Sequence, residues 1–122
     1  MLGAAHACAN PLTARYGTTH GVAIALMLPH VVRWNGELVG ARYAELLHVA
    51  GRDGGGHPGD RLADRLDELA RAGGLPRSLA QVGVPRESLP LLARDALRQW
   101  TGTFNPRPLD EASVLALYQR AY

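Results

Sequence analysis

The residues best suited to chemistry are two histidines, His6 and His20, fourteen positions apart in the stretch AHACANPLTARYGTTHGVAIALMLPHVVRWN from Ala5 to Asn35. Neutral imidazole is the commonest side-chain metal ligand, and its ring nitrogens reach such an ion at about 2.0–2.2 Å. Both rings can meet at one cation only if the chain doubles back between them. The apolar pattern breaks at Tyr16-Gly17-Thr18-Thr19, so the spacing predicts a helix carrying His6, a tight turn, and a second helix opening at His20. The end of one helix then lies beside the start of the next, and Gly21 leaves room for a ligand or another backbone.

The other chemically able side chains read differently. His30 lies ten residues past His20, about 280° round a regular helix, so it points away from the pair and is expected in the core. Cys8, the only cysteine, sits among alanines and reads as a buried thiol; His6, two residues away, does not share its helix face. Asp64 and Glu68 are four apart, but the flanking arginines make them a solvated, ion-paired face. The glycines of GRDGGGHPG lack the following Gly-Lys-Ser/Thr that a phosphate loop needs, and His57 is isolated there. His48 falls off the apolar stripe of its helix and is expected in solvent.

The elements that must position the histidine pair are all helical. Met1 to Tyr16 forms a small-residue helix that Pro11 is expected to kink just past Asn10. Thr18 or Thr19 caps the next, which is apolar almost all round from Val22 to Trp34, as a helix at the centre of a bundle is. Asn35-Gly36 is expected to end it by a left-handed cap. Tyr43, Leu46, Leu47 and Ala50 mark a third, amphipathic helix over 40–50. Asp60 to Gly73 carries Leu62, Leu66 and Leu69 on one face, and LPRSLAQVGVPR is a short helix between proline turns. Glu87 to Thr101 forms the next helix, with Leu89, Leu92, Ala93, Ala96, Leu97 and Trp100 facing in. Thr103 to Pro108 is an extended connector, and Asp110 starts a last helix over 111–121. The expectation is an all-α bundle of about six helices plus one short helix, in a single domain over 1–122.

Length and composition agree. A chain of 122 residues, 47% hydrophobic and 20% charged, buries about two thirds of its unfolded surface and builds one core. Its net charge of +2 comes from scattered arginines, without the basic stripe that nucleic-acid binding requires. The run Val22–Leu28 is far shorter than the roughly 20 residues that cross a bilayer, and no signal peptide is legible at the start. The lone cysteine fits a reducing compartment, so a cytoplasmic protein is expected.

The segment from Ala5 to Asn35 resembles the metal-binding segment of the iron-dependent (group III) alcohol dehydrogenases, which reads roughly H-x-x-x-H-P-L-x-x-x-x-x-x-x-H-G before an apolar run and L-P-H-V. The tail Phe104-Asn105-Pro106-Arg107-Pro108-Leu109 resembles that family too. The resemblance implies that His6 and His20 ligate a divalent metal, iron or possibly zinc, since imidazole suits both. It also implies two further ligands, an aspartate and a histidine four apart on an upstream helix, and an NAD(P)-binding half. This chain is expected to be the helical carboxy-terminal domain without them. The family often places a second histidine four residues after the first, near the nicotinamide. Asn10 stands there in this sequence, and its amide can hydrogen-bond a cofactor or substrate.

The chemistry implied is hydride transfer between a small alcohol or aldehyde and nicotinamide, with the cation's charge stabilising the ionised alcohol oxygen. A maleylacetate reductase or glycerol dehydrogenase would share the scaffold. The alternative of a different class is a non-catalytic helical module. With its dehydrogenase partner domain removed, it is expected to self-associate as a homo-oligomer through Ala4–Leu12 and Val22–Leu26.

Overall fold

The structure, a computed structural model, describes residues 2–122, and every regular element in it is helical. Five α-helices follow one another: α1 (Ala4–Tyr16), α2 (His20–Val49), α3 (Pro58–Ala72), α4 (Leu89–Leu97) and α5 (Glu111–Arg120). Short 3-10 turns occupy Ala80–Val82, Arg86–Ser88 and Trp100–Phe104. The all-α bundle expected from the sequence is the fold, with two of the expected helices joined and another split.

α1 packs on α2 and α4, and its small side chains are why it can come so close. Ala4, Ala5, Ala7, Cys8, Ala9 and Leu12 are all buried, against Tyr118, Leu92 and Met27 among the fully buried side chains of the same core. The apolar face of α1 is therefore covered by the chain itself, and Ala4–Leu12 is not the exposed self-association surface that the sequence suggested. α1 runs as one element through Pro11. The proline lacks the N–H that would bond the Ala7 carbonyl, and one carbonyl further on Tyr118 donates its hydroxyl to Cys8 O at 2.7 Å.

α2 is the 30-residue spine of the molecule. Asn35-Gly36 does not stop it, because both residues are spent on tertiary contacts. Asn35 is buried and exchanges amide hydrogen bonds with Asn105, while a Cβ on Gly36 would lie 2.8 Å from the Gly59 Cα. Glycine here permits α2 and α3 to touch backbone to backbone. The helical dihedrals fail three residues later, at Val39 (φ −117°, ψ 22°), and resume to Val49.

α3 opens with Pro58 at its first turn and lies along α2. Its buried residues are Gly59 and Ala63, whereas Leu69 of the expected apolar face is half exposed. Arg33 of α2 reaches Asp64 at 2.5 Å, Asp67 at 3.2 Å and Asp60 at 3.9 Å, so one guanidinium gathers the acidic edge of α3. Glu68 pairs with Arg65 at 2.9 Å, which makes Asp64 and Glu68 the ion-paired surface that the sequence indicated.

The helix expected over 87–101 ends at Leu97, because Gln99 is extended (φ −79°, ψ 117°). Leu89, Leu92, Ala93 and Ala96 face in as expected, but Leu97 is partly exposed and Trp100 is 66% exposed. Trp100 stacks edge-on against Phe104 with ring centroids 5.6 Å apart. The turn between them is pinned by Gly102, where a Cβ would meet Leu109 at 2.8 Å and Ala7 at 3.4 Å. α5 begins at Asp110, whose side chain accepts from Ser113 N–H at 2.7 Å, and Ser113 Oγ in turn accepts from Asp110 N–H at 3.1 Å, a reciprocal cap. No helix among the described residues is long and apolar enough to cross a membrane.

Candidate metal centre and adjoining cleft

His6 and His20 meet. Gly17 closes α1 in the left-handed conformation (φ 64°) and donates to Thr13 O at 3.1 Å. The chain then passes through Thr18 to Thr19, which holds the capping position of α2 with an extended ψ of 130° but without a side-chain cap bond. The cap position falls on a threonine, as expected, but the side-chain hydrogen bond expected of it is not formed. This turn sets His20 as the first residue of α2, with its ring centroid 5.4 Å from that of His6 and the planes tilted by 44°.

Two imidazoles this close repel once both are protonated, and a ring turned toward protein is harder to charge. Burial first, and the His20 ring second, hold the His6 imidazole below the ordinary histidine value. His6 is therefore neutral near pH 7, the state in which it has a lone pair to give. His20 is exposed and His6 half-buried, so both can be reached from outside. The donor set suits a divalent transition metal, for which neutral imidazole is a preferred ligand. It is a partial set. Among the described residues no group of three or more His, Cys, Asp or Glu side chains could hold a metal.

Beside the pair runs a cleft of about 520 Å³, lined among others by Asn10, Thr13, Arg15, His20, Asp95 and Gln99. Asn10 follows His6 by four residues on α1 and so shares its face. Its Nδ2 donates to Gln99 Oε1 at 3.0 Å, which fixes the amide at the wall of the cleft. Arg15 Nε donates to Asp95 Oδ2 at 2.5 Å across the gap between α1 and α4, and Arg98 stands 3.8 Å from the same carboxylate. Gln99, Asp95 and Arg15 are cleft residues that local sequence does not mark. Their only signal was polarity near a helix end, and what places them here is the packing of α4 on α1.

The remaining histidines stand apart, as expected. His48 is exposed and pairs with Asp53 at 2.9 Å, and His57 lies 3.8 Å from Asp60. His30, expected as a core residue, is instead half-buried on the wall of a separate cavity, where burial, ahead of the charges around it, lowers its pKa. Cys8 is fully buried and its thiol is pushed up to about 12 by that burial, so it carries no thiolate at neutral pH.

The same arrangement of helices occurs in known proteins. The sequence profile of the "Fe-containing alcohol dehydrogenase family, C-terminal" matches residues 1–122. The chain belongs to the iron-containing alcohol dehydrogenase family. It is similar to the lactaldehyde reductase of Escherichia coli (strain K12), 37% identical over 125 residues, which take in 99% of this chain and 33% of that protein. A maleylacetate reductase from Burkholderia cepacia is 31% identical over 121 residues, with 99% of this chain and 32% of the relative covered. Among solved structures, an alcohol dehydrogenase from Oenococcus oeni superposes with a TM-score of 0.91 at 30% identity, over 98% of this chain and 32% of that one. The chain thus spans about a third of the length of the relatives it matches, and in the iron-containing alcohol dehydrogenases this third is the helical carboxy-terminal part.

Proposed function

We propose that His6 and His20 are two of the protein ligands of a divalent metal, iron or alternatively zinc, in an NAD(P)-dependent oxidoreductase acting on a small alcohol or aldehyde. The observation that carries this reading is the 5.4 Å approach of the two rings at a cleft with Asn10 on its wall. When bound, the cation supplies local positive charge for the substrate oxygen, which in an alcohol is otherwise a very weak acid at neutral pH. The overall change is transfer of a hydride from the carbinol carbon to the nicotinamide ring and loss of the hydroxyl proton, or the reverse. His6 enters this chemistry neutral, and its lowered pKa keeps it so. Asn10, held by Gln99, offers its amide to the cofactor or substrate rather than a proton.

The remaining ligands and the nicotinamide site are assigned to a dinucleotide-binding domain amino-terminal to this one, and residues 1–122 to a single metal-binding domain. Two imidazoles hold a metal weakly, so this chain by itself is inactive in this proposal, and the working protein is cytoplasmic. The test is metal content. After equilibration with Fe2+ or Zn2+, the chain should retain metal that His6→Ala and His20→Ala each lose. Equal metal in all three would overturn the assignment.

A second reading, a non-catalytic helical module that self-associates, draws on the exposed Trp100 and Phe104 pair rather than on α1. Light scattering distinguishes it: a concentration-dependent mass that Trp100→Ala and Phe104→Ala reduce to the monomer supports it, and a monomer at all concentrations refutes it.

A further inference from the structure

A second cavity, of about 170 Å³, opens where α2, α3, the turn at 76–78 and the end of α5 come together. It shares no lining residue with the cleft beside His20. Its polar wall consists of His30, Asp67, Arg77, Ser78, Arg120 and Tyr122. The single acidic side chain, Asp67, is already engaged by Arg33 at 3.2 Å. Arg77 and Arg120 have no such partner. Among the described residues, neither guanidinium has a side-chain carboxylate within 4 Å.

The other polar groups add donors. Ser78 Oγ accepts from Gln81 N–H at 3.3 Å, which leaves the hydroxyl hydrogen to donate. Burial keeps His30 below the ordinary histidine pKa, so its neutral ring carries one N–H. The frame is fixed before any ligand arrives. Arg77 N–H donates to Gln81 Oε1 at 2.7 Å, and Leu79 N–H donates to Ala121 O at 2.8 Å, tying the arginine-bearing turn to the end of α5. Arg86 stacks over the Tyr122 ring at 5.1 Å and holds that side of the cavity. The space admits several water-sized spheres, enough for a tetrahedral oxyanion.

We propose that this cavity is a binding site for a small phosphate-type oxyanion, held by Arg77 and Arg120 with Ser78 and His30 as neutral donors. Both arginines are exposed residues on the wall of one cavity, and a guanidinium matches oxyanion geometry. The ligand is either inorganic phosphate or the phosphate of a small metabolite whose remaining part projects into solvent. The site does not depend on the metal assignment.

Titration of inorganic phosphate into the chain, followed by the ring NMR signals of His30, tests it against potassium chloride at equal ionic strength. A saturable shift is expected with phosphate alone. Arg77→Gln and Arg120→Gln should each weaken it about tenfold, the loss of one charge-assisted contact. Arg42→Gln, on the exposed surface of α2, should leave it unchanged, and Arg77→Lys should retain part of it. Glycerol phosphate binding as tightly as phosphate would identify the metabolite-phosphate source, and markedly weaker binding the free ion. A shift no different from that in chloride, an equal loss in Arg42→Gln, or tighter saturation by acetate than by phosphate would each overturn the proposal.

Discussion

Replacing Gly36 by alanine places a methyl group 2.8 Å from the Gly59 Cα, 3.1 Å from His57 Cε1 and 3.4 Å from the Gly59 nitrogen. Two of those three neighbours are backbone, so relief requires α3 to move away from α2 as a body. Overpacking of this kind costs about 1–3 kcal/mol, and the better helix propensity of alanine returns about 0.5–1 kcal/mol. The net loss is about 1–2 kcal/mol. With an unfolding entropy of about 2.1 cal/mol/K per residue, the 122-residue chain loses about 4 °C of Tm per kcal/mol, so Gly36→Ala should melt about 4–8 °C lower by circular dichroism. Gly59→Ala, whose Cβ meets the Gly36 Cα at 2.9 Å, should behave alike, and the double variant should fall short of the sum because one separation relieves both contacts. Gly40 provides the internal comparison. It also lies in α2, with nothing within 4 Å of its Cβ position, so Gly40→Ala should be neutral or raise Tm by up to about 4 °C. If Gly36→Ala proves as stable as Gly40→Ala, the close crossing is not what glycine serves here.

Asn105→Ala leaves the buried Asn35 amide and Ala4 N–H without their partner, which should cost about 2–3 kcal/mol and about 8–12 °C of Tm; a double-mutant cycle with Asn35→Ala should return a coupling of about 1 kcal/mol or more. Cys8, fully buried with its thiol near 12, should be alkylated by iodoacetamide only as fast as the fold opens, and Tyr118→Phe, which removes the 2.7 Å bond to Cys8 O, should speed alkylation about 5- to 30-fold through a loss of about 1–2 kcal/mol. His30 has a folded pKa below its unfolded value of 6.5, so the unfolded chain takes up its proton first. The stability it contributes is complete above about pH 6.5 and is lost as pH falls through the folded value. His6 shifts the same way, so between about pH 7.5 and about pH 5.5 the Tm should fall in the native chain and fall less, without vanishing, in His30→Gln.

What the sequence made legible follows from which signals are local. The histidine pair was readable because the glycine turn and the start of α2 lie within a few residues of each other, and local turn chemistry decides both. The start of α5 at Asp110 is legible for the same reason, although the reciprocal bond with Ser113 is not. Asn35-Gly36 misled because a stop signal and a tertiary contact use the same residue types, and only the partners Asn105 and Gly59, distant in sequence, show which is meant. The expectation of Trp100 in the core extends a helical period three residues beyond the end of α4 at Leu97, where the extended Gln99 has already changed the register. The arginine clamp on Asp60, Asp64 and Asp67 needed Arg33, a residue of another helix. The flanking arginines pointed to pairs within α3, which Glu68 makes with Arg65, whereas Asp64 pairs across to α2.

The tail from Phe104 to Leu109 and the histidine segment form one mechanical unit, although 70 positions separate Asn35 from Asn105. Asn105 Oδ1 accepts from Ala4 N–H at 3.3 Å, at the first turn of α1, and from Asn35 Nδ2 at 3.0 Å. Arg107 lies over the Trp34 ring at 4.4 Å and donates to Trp34 O at 2.8 Å and to Glu37 at 2.6 Å. Asn35 is about 22 Å along α2 from His20 at 1.5 Å per residue. α1 and α2 are therefore joined at two well-separated places, the short turn at 17–19 and the amide junction at Asn105. One tether would let α1 pivot on α2, and His6, eleven residues before the turn, would swing through several ångströms. The second tether removes that freedom. Asn105→Ala should consequently weaken metal retention at His6 and His20 even though Asn105 is no ligand in this scheme. A variant that loses Tm but keeps its metal would show instead that the turn alone sets the separation of the rings.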